Sequence, residues 1–261
     1  MTRLVPAFAD TVKPIWFHYS SHVPWRTIPE LRNDFLVEQT RTPMQLDAEL
    51  AYFLGALRDG YVDRKNYLIA ISQKNVIWLE HLAHIAAKHF GCKPRIRVFR
   101  GKYYELRIYS KEMFLFVERE IPEPNRIPSS IRADRTLWKP YIEGFFDAEG
   151  YCTRPETFQK TGKKKISFHQ NDKASLEFIR AALQESGISA TLYLQKGRQC
   201  YALYIQSSDG IRKFSAAFQP LMKKERIDNL VSVLPPERHH SWFLPKCIGV
   251  QPRTIKAGRV E

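Results

Sequence analysis

Apolar residues recur along this chain with two periods, 3.6 and 2, and the periods alternate in an order that is used twice. Residues 46–59 and 137–149 carry apolar positions at helical spacing and stop at Gly60 and Gly150. Glycine favours the left-handed position after a helix, so a helix is predicted to open each half. Residues 67–72 and 165–169 read as strands; residues 75–90 and 172–186 read as helices, closed by Gly91 and Gly187. Two more strands follow in each half, 95–100 and 103–109, then 190–195 and 200–206, joined by short hairpins at Gly101 and Gly197. A last helix closes each half near 111–119 and 209–218. The predicted order is helix, two strands, helix, two strands, helix, twice over.

The halves also share residues. Tyr104, Leu106, Ile108 and Ser110 recur as Tyr201, Leu203, Ile205 and Ser207, each 97 positions later, and Gln73, Leu79 and Glu80 recur at the same offset as Gln170, Leu176 and Glu177. A fixed offset marks an internal repeat. The expected organisation is an extension over 1–45, a first repeat over 46–120, a linker over 121–137, a second repeat over 138–232 and a tail over 233–261. Pro122, Pro124, Pro128, Asn125, Ser129 and Ser130 give the linker a composition expected to hold no regular element. Trp16, Phe17, Tyr19 and Trp25 among prolines point to an ordered strap in the extension.

Alternation assigns strand faces. Leu106 and Ile108 oppose Glu105, Arg107 and Tyr109; Leu203 and Ile205 oppose Ala202, Tyr204 and Gln206; Leu192 and Leu194 oppose Thr191, Tyr193 and Gln195. One face of each sheet is apolar. The other carries Arg, Gln, Tyr and Thr, the side chains that hydrogen-bond base edges in the major groove. Charge supports this: 41 Lys+Arg against 27 Asp+Glu leave +14, and residues 61–110 and 151–200 carry +7 and +5 of it. Basic residues clustered on two like segments form a footprint for phosphates. With 44% hydrophobic residues the chain can bury a full core, which excludes disorder as the default. No apolar stretch is long enough to span a bilayer, and no targeting segment is seen, so a cytoplasmic protein without membrane association is expected. Cys92, Cys152, Cys200 and Cys247 form no C-x-x-C pair, which argues against a zinc site or a disulfide scaffold and for a reducing compartment.

The opening helices end in Asp59-Gly60 and Glu149-Gly150. A carboxylate is disfavoured at a helix C-terminus unless a cation offsets it, and a divalent metal would do so. Gly55 with Ala51 and Ala56, and Gly144 with Ala148, would let the two helices cross closely and bring Asp59 and Glu149 together as a Mg²⁺ site.

These residues carry a family resemblance. Ile142-Glu143-Gly144-Phe145-Phe146-Asp147-Ala148-Glu149-Gly150 resembles the LAGLIDADG motif position for position, and Tyr52-Phe53-Leu54-Gly55-Ala56-Leu57-Arg58-Asp59-Gly60 looks like a second, weaker copy. The chain is similar to single-chain LAGLIDADG homing endonucleases, in particular the archaeal intron-encoded type. The resemblance implies an α+β fold of two pseudo-symmetric αββαββα repeats that form a DNA-binding saddle, with the motif helices as the central interface. It implies a monomer that hydrolyses both strands of a long double-stranded DNA target across the minor groove, leaving 3′ overhangs. Mg²⁺ is the expected cofactor, with Mn²⁺ substituting and Ca²⁺ supporting binding without cleavage. Asp59 and Glu149, with Gly60 and Gly150, would hold the metal; Gln73 and Gln170 would order solvent; Lys223 or Lys224, with Arg126 as a counterpart, would complete the sites. The DNA contacts expected are Arg64, Lys65, Tyr67, Arg95, Arg97, Arg100, Lys102, Arg107 and Tyr109 in the first repeat. In the second they are Tyr151, Arg154, Lys163, Lys164, Lys165, His169, Tyr193, Gln195, Lys196, Arg198, Tyr204 and Gln206.

Two departures stand out. Gly144 precedes its acid by five residues and Gly55 by four, and the second repeat has seven extra residues between acid and glutamine, which predict a longer basic hairpin at 161–165. The alternative function is an RNA-binding maturase of the same fold acting on its own intron RNA. A DNA-binding regulator would need an appended domain that the short tail does not supply. The Met1 start and Arg259-Val260-Glu261 end predict an intron rather than an intein origin.

Overall fold

A computed structural model describes residues 45–123, 126–195 and 200–236, the side chain of Asp59 excepted. The strap, the tail beyond residue 236, the hairpin at Gly197, Lys196 and Arg198 therefore lie outside the described residues.

The first repeat runs α1 (Ala48–Ala56), β1 (Gly60–Asp63), β2 (Leu68–Gln73), α2 (Val76–Phe90), β3 (Arg95–Phe99), β4 (Tyr103–Tyr109) and α3 (Lys111–Glu120). After α4 (Ser129–Ala133), the second runs α5 (Trp138–Glu149), β5 (Tyr151–Cys152), α6 (Pro155–Thr161), β6 (Ile166–Gln170), α7 (Lys173–Glu185), β7 (Thr191–Leu194), β8 (Tyr201–Ile205) and α8 (Ser208–Ala217), followed by α9 (Lys224–Ser232). The order αββαββα is thus present twice, with α6 inserted in the second copy.

Local chemistry sets these boundaries at matching points. Asn75 and Asp172, 97 residues apart, cap α2 and α7 by accepting the amides of Trp78 and Ser175; Ser110 and Ser207 do the same for α3 and α8. Each such cap contributes about 1 kcal/mol. Gly91 (φ 58°) and Gly187 (φ 70°) follow α2 and α7 in the left-handed region. Each sheet is antiparallel, in the orders β1-β2-β4-β3 and β5-β6-β8-β7. Gln73 pairs with Tyr104 and Gln170 with Tyr201, so the sequence offset is a structural register.

The apolar sheet faces pack on the helices. Phe145 and Phe146 of α5 lie against Phe168 of β6, with ring centroids 6.0 and 5.2 Å apart, and Phe214 of α8 closes the cluster 5.2 Å from Phe146. All four rings are fully buried, each worth about 1.5–3 kcal/mol of burial. Among the described residues no helix is long and apolar enough to cross a membrane.

Several expectations need correction. The linker does hold structure: α4 forms around the buried Ile131, and Asp134 caps a following 3₁₀ turn by accepting the Thr136 amide at 2.9 Å. The seven extra residues of the second repeat form α6 rather than a longer hairpin. Pro155 starts it, where a missing N–H costs nothing, and Gly162 ends it at φ 66°. Gly60 and Gly150 are extended (φ −101° and −74°), not left-handed. Glycine is needed there for space: a Cβ on Gly60 would lie 2.5 Å from Leu57 Cδ1, and one on Gly150 would run into the Phe146 ring. On the strands, Leu194 is exposed because β7 is an edge strand, whereas Ala202 and Glu105 are buried on the face expected to be open.

Candidate active site

The motif helices meet backbone to backbone. A Cβ on Gly55 would overlap the Tyr141 carbonyl and lie 2.8 Å from the Phe145 nitrogen; one on Gly144 would overlap the Tyr52 carbonyl and lie 3.0 Å from the Ala56 nitrogen. The contacts are reciprocal: 52, 55 and 56 correspond to 141, 144 and 145, each 89 positions apart. A two-fold relation of this kind makes both helix C-termini emerge on the same side. Those ends carry Asp59 and Glu149.

The missing residue of the first motif is made up by backbone geometry. Leu57–Asp59 form a 3₁₀ turn that packs on α5, whereas α5 stays α-helical to Glu149. A 3₁₀ residue rises about 2.0 Å against 1.5 Å in an α-helix, so three residues cover the distance of four. The acid-glycine pair therefore leaves each helix at a comparable distance from the crossing.

Polar groups buried beside the crossing form two matched sets. The Tyr52 hydroxyl donates to Asp147 Oδ2 at 2.6 Å and accepts from Trp78 Nε1 at 2.7 Å, and the backbone amides of Met222 and Lys223 donate to Asp147 Oδ1 at 3.0 and 3.1 Å. In the other half Arg58 donates from Nε and Nη2 to the Tyr141 hydroxyl at 3.0 and 2.8 Å, and from Nη2 to the Arg126 carbonyl at 2.7 Å. Arg58 corresponds to Asp147 at the same 89-residue offset, so a cation stands in one half where an anion stands in the other. Burial pushes the Asp147 carboxyl above the usual carboxylate range, partly offset by the Tyr52 hydrogen bond. Burial also raises the Tyr52 phenol, with the charge of Asp147 adding to it.

Glu149 is likewise raised by burial, with Lys223 and Arg58 opposing. The helix end has a protein cation after all: Lys223 Nζ donates to the carbonyls of Phe146 at 2.7 Å and Gly150 at 2.6 Å. This lysine offsets part of the negative end of α5 from within the protein. Lys224 turns away, to Asp228 and, at 3.3 Å, to Ser215. Arg126 bonds Glu123 at 2.8 Å with its side chain 66% exposed, and meets the motif helix through its carbonyl. Lys223→Met should therefore leave carbonyls at the α5 terminus without their donor. The expected loss is about 2 kcal/mol, a fall in Tm of roughly 6 °C by calorimetry, whereas Lys224→Met should cost under about 1 kcal/mol.

Gln73 stands two residues past Ile71, the partner of Gly60, and Gln170 two past Phe168, where the β5–β6 register leads from Gly150. In each glutamine Oε1 accepts the next residue's amide, at 3.0 and 2.8 Å. The two are thus placed alike, on the helix-covered sheet face beside the acidic helix ends.

The expected DNA contacts divide. Arg95, Arg97, Arg107 and Tyr109 share the polar face of the first sheet, with Arg100 and Lys102 exposed at its hairpin. Arg64 pairs with Glu118, and the Tyr67 ring sits 5.4 Å from Phe114, both on α3; Lys65 is exposed in the turn between them. On the second sheet His169 is held between Ser167 (3.0 Å) and Gln195 (3.1 Å), and Lys165 lies over the rings of Tyr204 and Tyr151 at 4.6 and 5.6 Å. Tyr193 packs 5.5 Å from Tyr204. Arg154, Lys163 and Gln206 are exposed, and Lys164 covers Phe158. Sequence reasoning missed Arg58, Tyr52, Tyr141 and Asp147 as a set; the available signal was an arginine interrupting an apolar helix.

The donors at the acidic ends are oxygens, which fits a hard divalent cation: the half-buried Glu149 carboxylate and the Gly150 carbonyl, whose second lone pair lies outside its bond to Lys223. Asp47, Glu49 and His89 also converge, at the opposite end of α1. There Glu49 is already bonded by Lys88 and His89 at 2.8 Å, which lowers its pKa.

Residues 139–218 match the LAGLIDADG-like domain family. A structure of I-DmoI in complex with DNA and Mn superposes with a TM-score of 0.50 at 23% identity, over 66% of this chain and 96% of that one. Its fold is the two-repeat LAGLIDADG fold. Full-length DUF199/WhiA from Thermatoga maritima shares it, with a TM-score of 0.50 at 22% identity over 71% of this chain and 60% of that one. A tRNA-splicing ligase RtcB from Pyrococcus furiosus is 27% identical over 149 residues, which span half of this chain but 15% of that protein. The family match takes in α5 and lies wholly in the second repeat; α1 with its 3₁₀ turn occupies the corresponding place in the first.

Proposed function

We propose that this protein is a site-specific, divalent-metal-dependent double-strand DNA endonuclease of the homing type. The observation that carries the reading is the reciprocal crossing at Gly55 and Gly144, which turns two acid-glycine helix ends to one side of a fold that also presents two polar sheet faces, the first bearing arginines and the second histidine, glutamine and tyrosines. DNA binding by I-DmoI, named in complex with DNA and Mn, supports it. A bound divalent cation would supply Lewis-acid stabilisation of the leaving oxygen and an activated water. Glu149 and Asp59 would hold it, Gln73 and Gln170 would order solvent, and Lys223 would fix the end of α5. The sheet faces would clamp the duplex so that both strands are cut across the minor groove, leaving 3′ overhangs. The finer proposal is an intron-encoded monomer using Mg²⁺, with Mn²⁺ replacing it and Ca²⁺ sustaining binding alone.

The test is cleavage of a plasmid library of candidate insertion sites with Mg²⁺ and with EDTA. Unique, metal-dependent double-strand cuts are expected. No cutting, with tight binding to intron RNA, would replace this reading by the maturase.

A further inference from the structure

Acidic side chains are out of place on a surface meant for phosphates, yet Glu105 sits in the middle of the polar face of the first sheet. It pairs across to Arg97 of β3 and to Ser72 of β2, and Arg107 follows it two residues along β4 on the same face. Its Oε2 accepts Arg97 Nε at 2.8 Å and Arg107 Nε at 2.6 Å, and Arg97 Nη2 makes an ion-pair contact with it at 2.8 Å. Arg107 Nη1 then donates to the Tyr109 hydroxyl at 3.0 Å. The Glu105 side chain is 9% exposed, whereas those of Arg97 and Arg107 are 51% and 29% exposed. The carboxylate therefore lies beneath the arginines and is covered by them.

Of the carboxylate and its two partners, the arginines are the ones exposed enough to reach a base. Anchoring through Nε spends the inner edge of each guanidinium and turns its outer end away from the sheet. In Arg97 this leaves an Nη1–Nη2 fork, the arrangement that matches O6 and N7 of guanine in the major groove. A loose arginine visits many rotamers and meets phosphates as readily as bases; one tied to a buried acid has already lost that freedom. Among the described residues the second sheet has no counterpart: Ala202 occupies the position 97 residues after Glu105, and the neighbouring polar groups are His169, Gln195 and tyrosines.

We infer that Glu105 is a positioning residue that sets Arg97 and Arg107 to read guanine, so that the half of the target under the first sheet is selected for adjacent G·C pairs. This rests on the DNA-binding reading above. The experiment is selection from a random duplex library in Ca²⁺, followed by sequencing, with the parent chain, Glu105→Gln and Arg97→Lys. Thermal melts of each variant accompany it. The parent should enrich sequences with guanine fixed at neighbouring positions of one half-site. Glu105→Gln should reduce that preference about tenfold at both positions, and Arg97→Lys, which keeps the charge, at one. Folded variants that keep the parent's guanine preference, or a parent that enriches a target without it, would overturn the inference while leaving DNA recognition in place. Enrichment of no duplex at all would overturn the DNA reading itself.

Discussion

Glu149→Gln should reduce double-strand cleavage of the cognate target about a thousandfold or more, while binding in Ca²⁺ stays within a few fold of the parent. The substitution keeps the size of the side chain, replaces one acceptor oxygen by an N–H donor and removes the charge. Burial already works against the ionised form of Glu149, and Lys223 and Arg58 oppose it. A neutral amide at that point would be a far weaker ligand for a hard cation, and loss of one preorganised electrostatic contribution costs about 10²–10³ in rate. Gel assays of cut and uncut plasmid, paired with filter binding, check both parts. Residual nicking of one strand would localise the damage to one of two sites; undiminished double-strand cutting would remove Glu149 from the chemistry.

The second large effect concerns folding. Gly144→Val is expected to destabilise the protein by about 3 kcal/mol or more, a drop in Tm of roughly 10 °C, because the added carbons meet the Tyr52 carbonyl and the Ala56 amide. These are backbone atoms of another helix, so no rotamer change relieves the clash and the helices must move apart. Gly162→Asn is the control: φ is 66° with open space around the Cβ position, and asparagine tolerates that region. A change under about 1 kcal/mol is expected there by calorimetry.

Much of this was legible because it is periodic. The 97-residue offset carried the register: Gln73 and Gln170, Asn75 and Asp172, Ser110 and Ser207 occupy matching places in the two sheets and helix starts. The motif glycines were readable from the motif itself, at a different offset of 89 for Gly55 and Gly144. What escaped was set by contacts between segments far apart in sequence. Lys223 and Lys224 are adjacent and chemically alike, and only folding decides that one caps α5 and the other turns to Asp228. Arg58 gives no sign in sequence that its partners are the Tyr141 hydroxyl and the Arg126 carbonyl. Glu105 reads as a plain solvent residue by alternation, and its burial under two arginines depends on which strand lies beside β4. The one-residue difference in spacing between Gly55 and its acid gives no sign in sequence of the 3₁₀ turn after Ala56 that makes up the length.

The exchange of Arg58 for Asp147 between equivalent places limits how this molecule can be rebuilt. The segment after the last helix of the first repeat offers a carbonyl to a guanidinium; the corresponding segment of the second offers two amides to a carboxylate. Neither charge could be switched alone without stranding the other half of its docking, an error that costs about 3–5 kcal/mol for a buried ion. Chimeras made by cutting between α1 or α5 and its docking segment would inherit that mismatch. A recombination scheme that moves Arg58 with residues 121–128, or Asp147 with residues 219–224, keeps each half's own lock and key together.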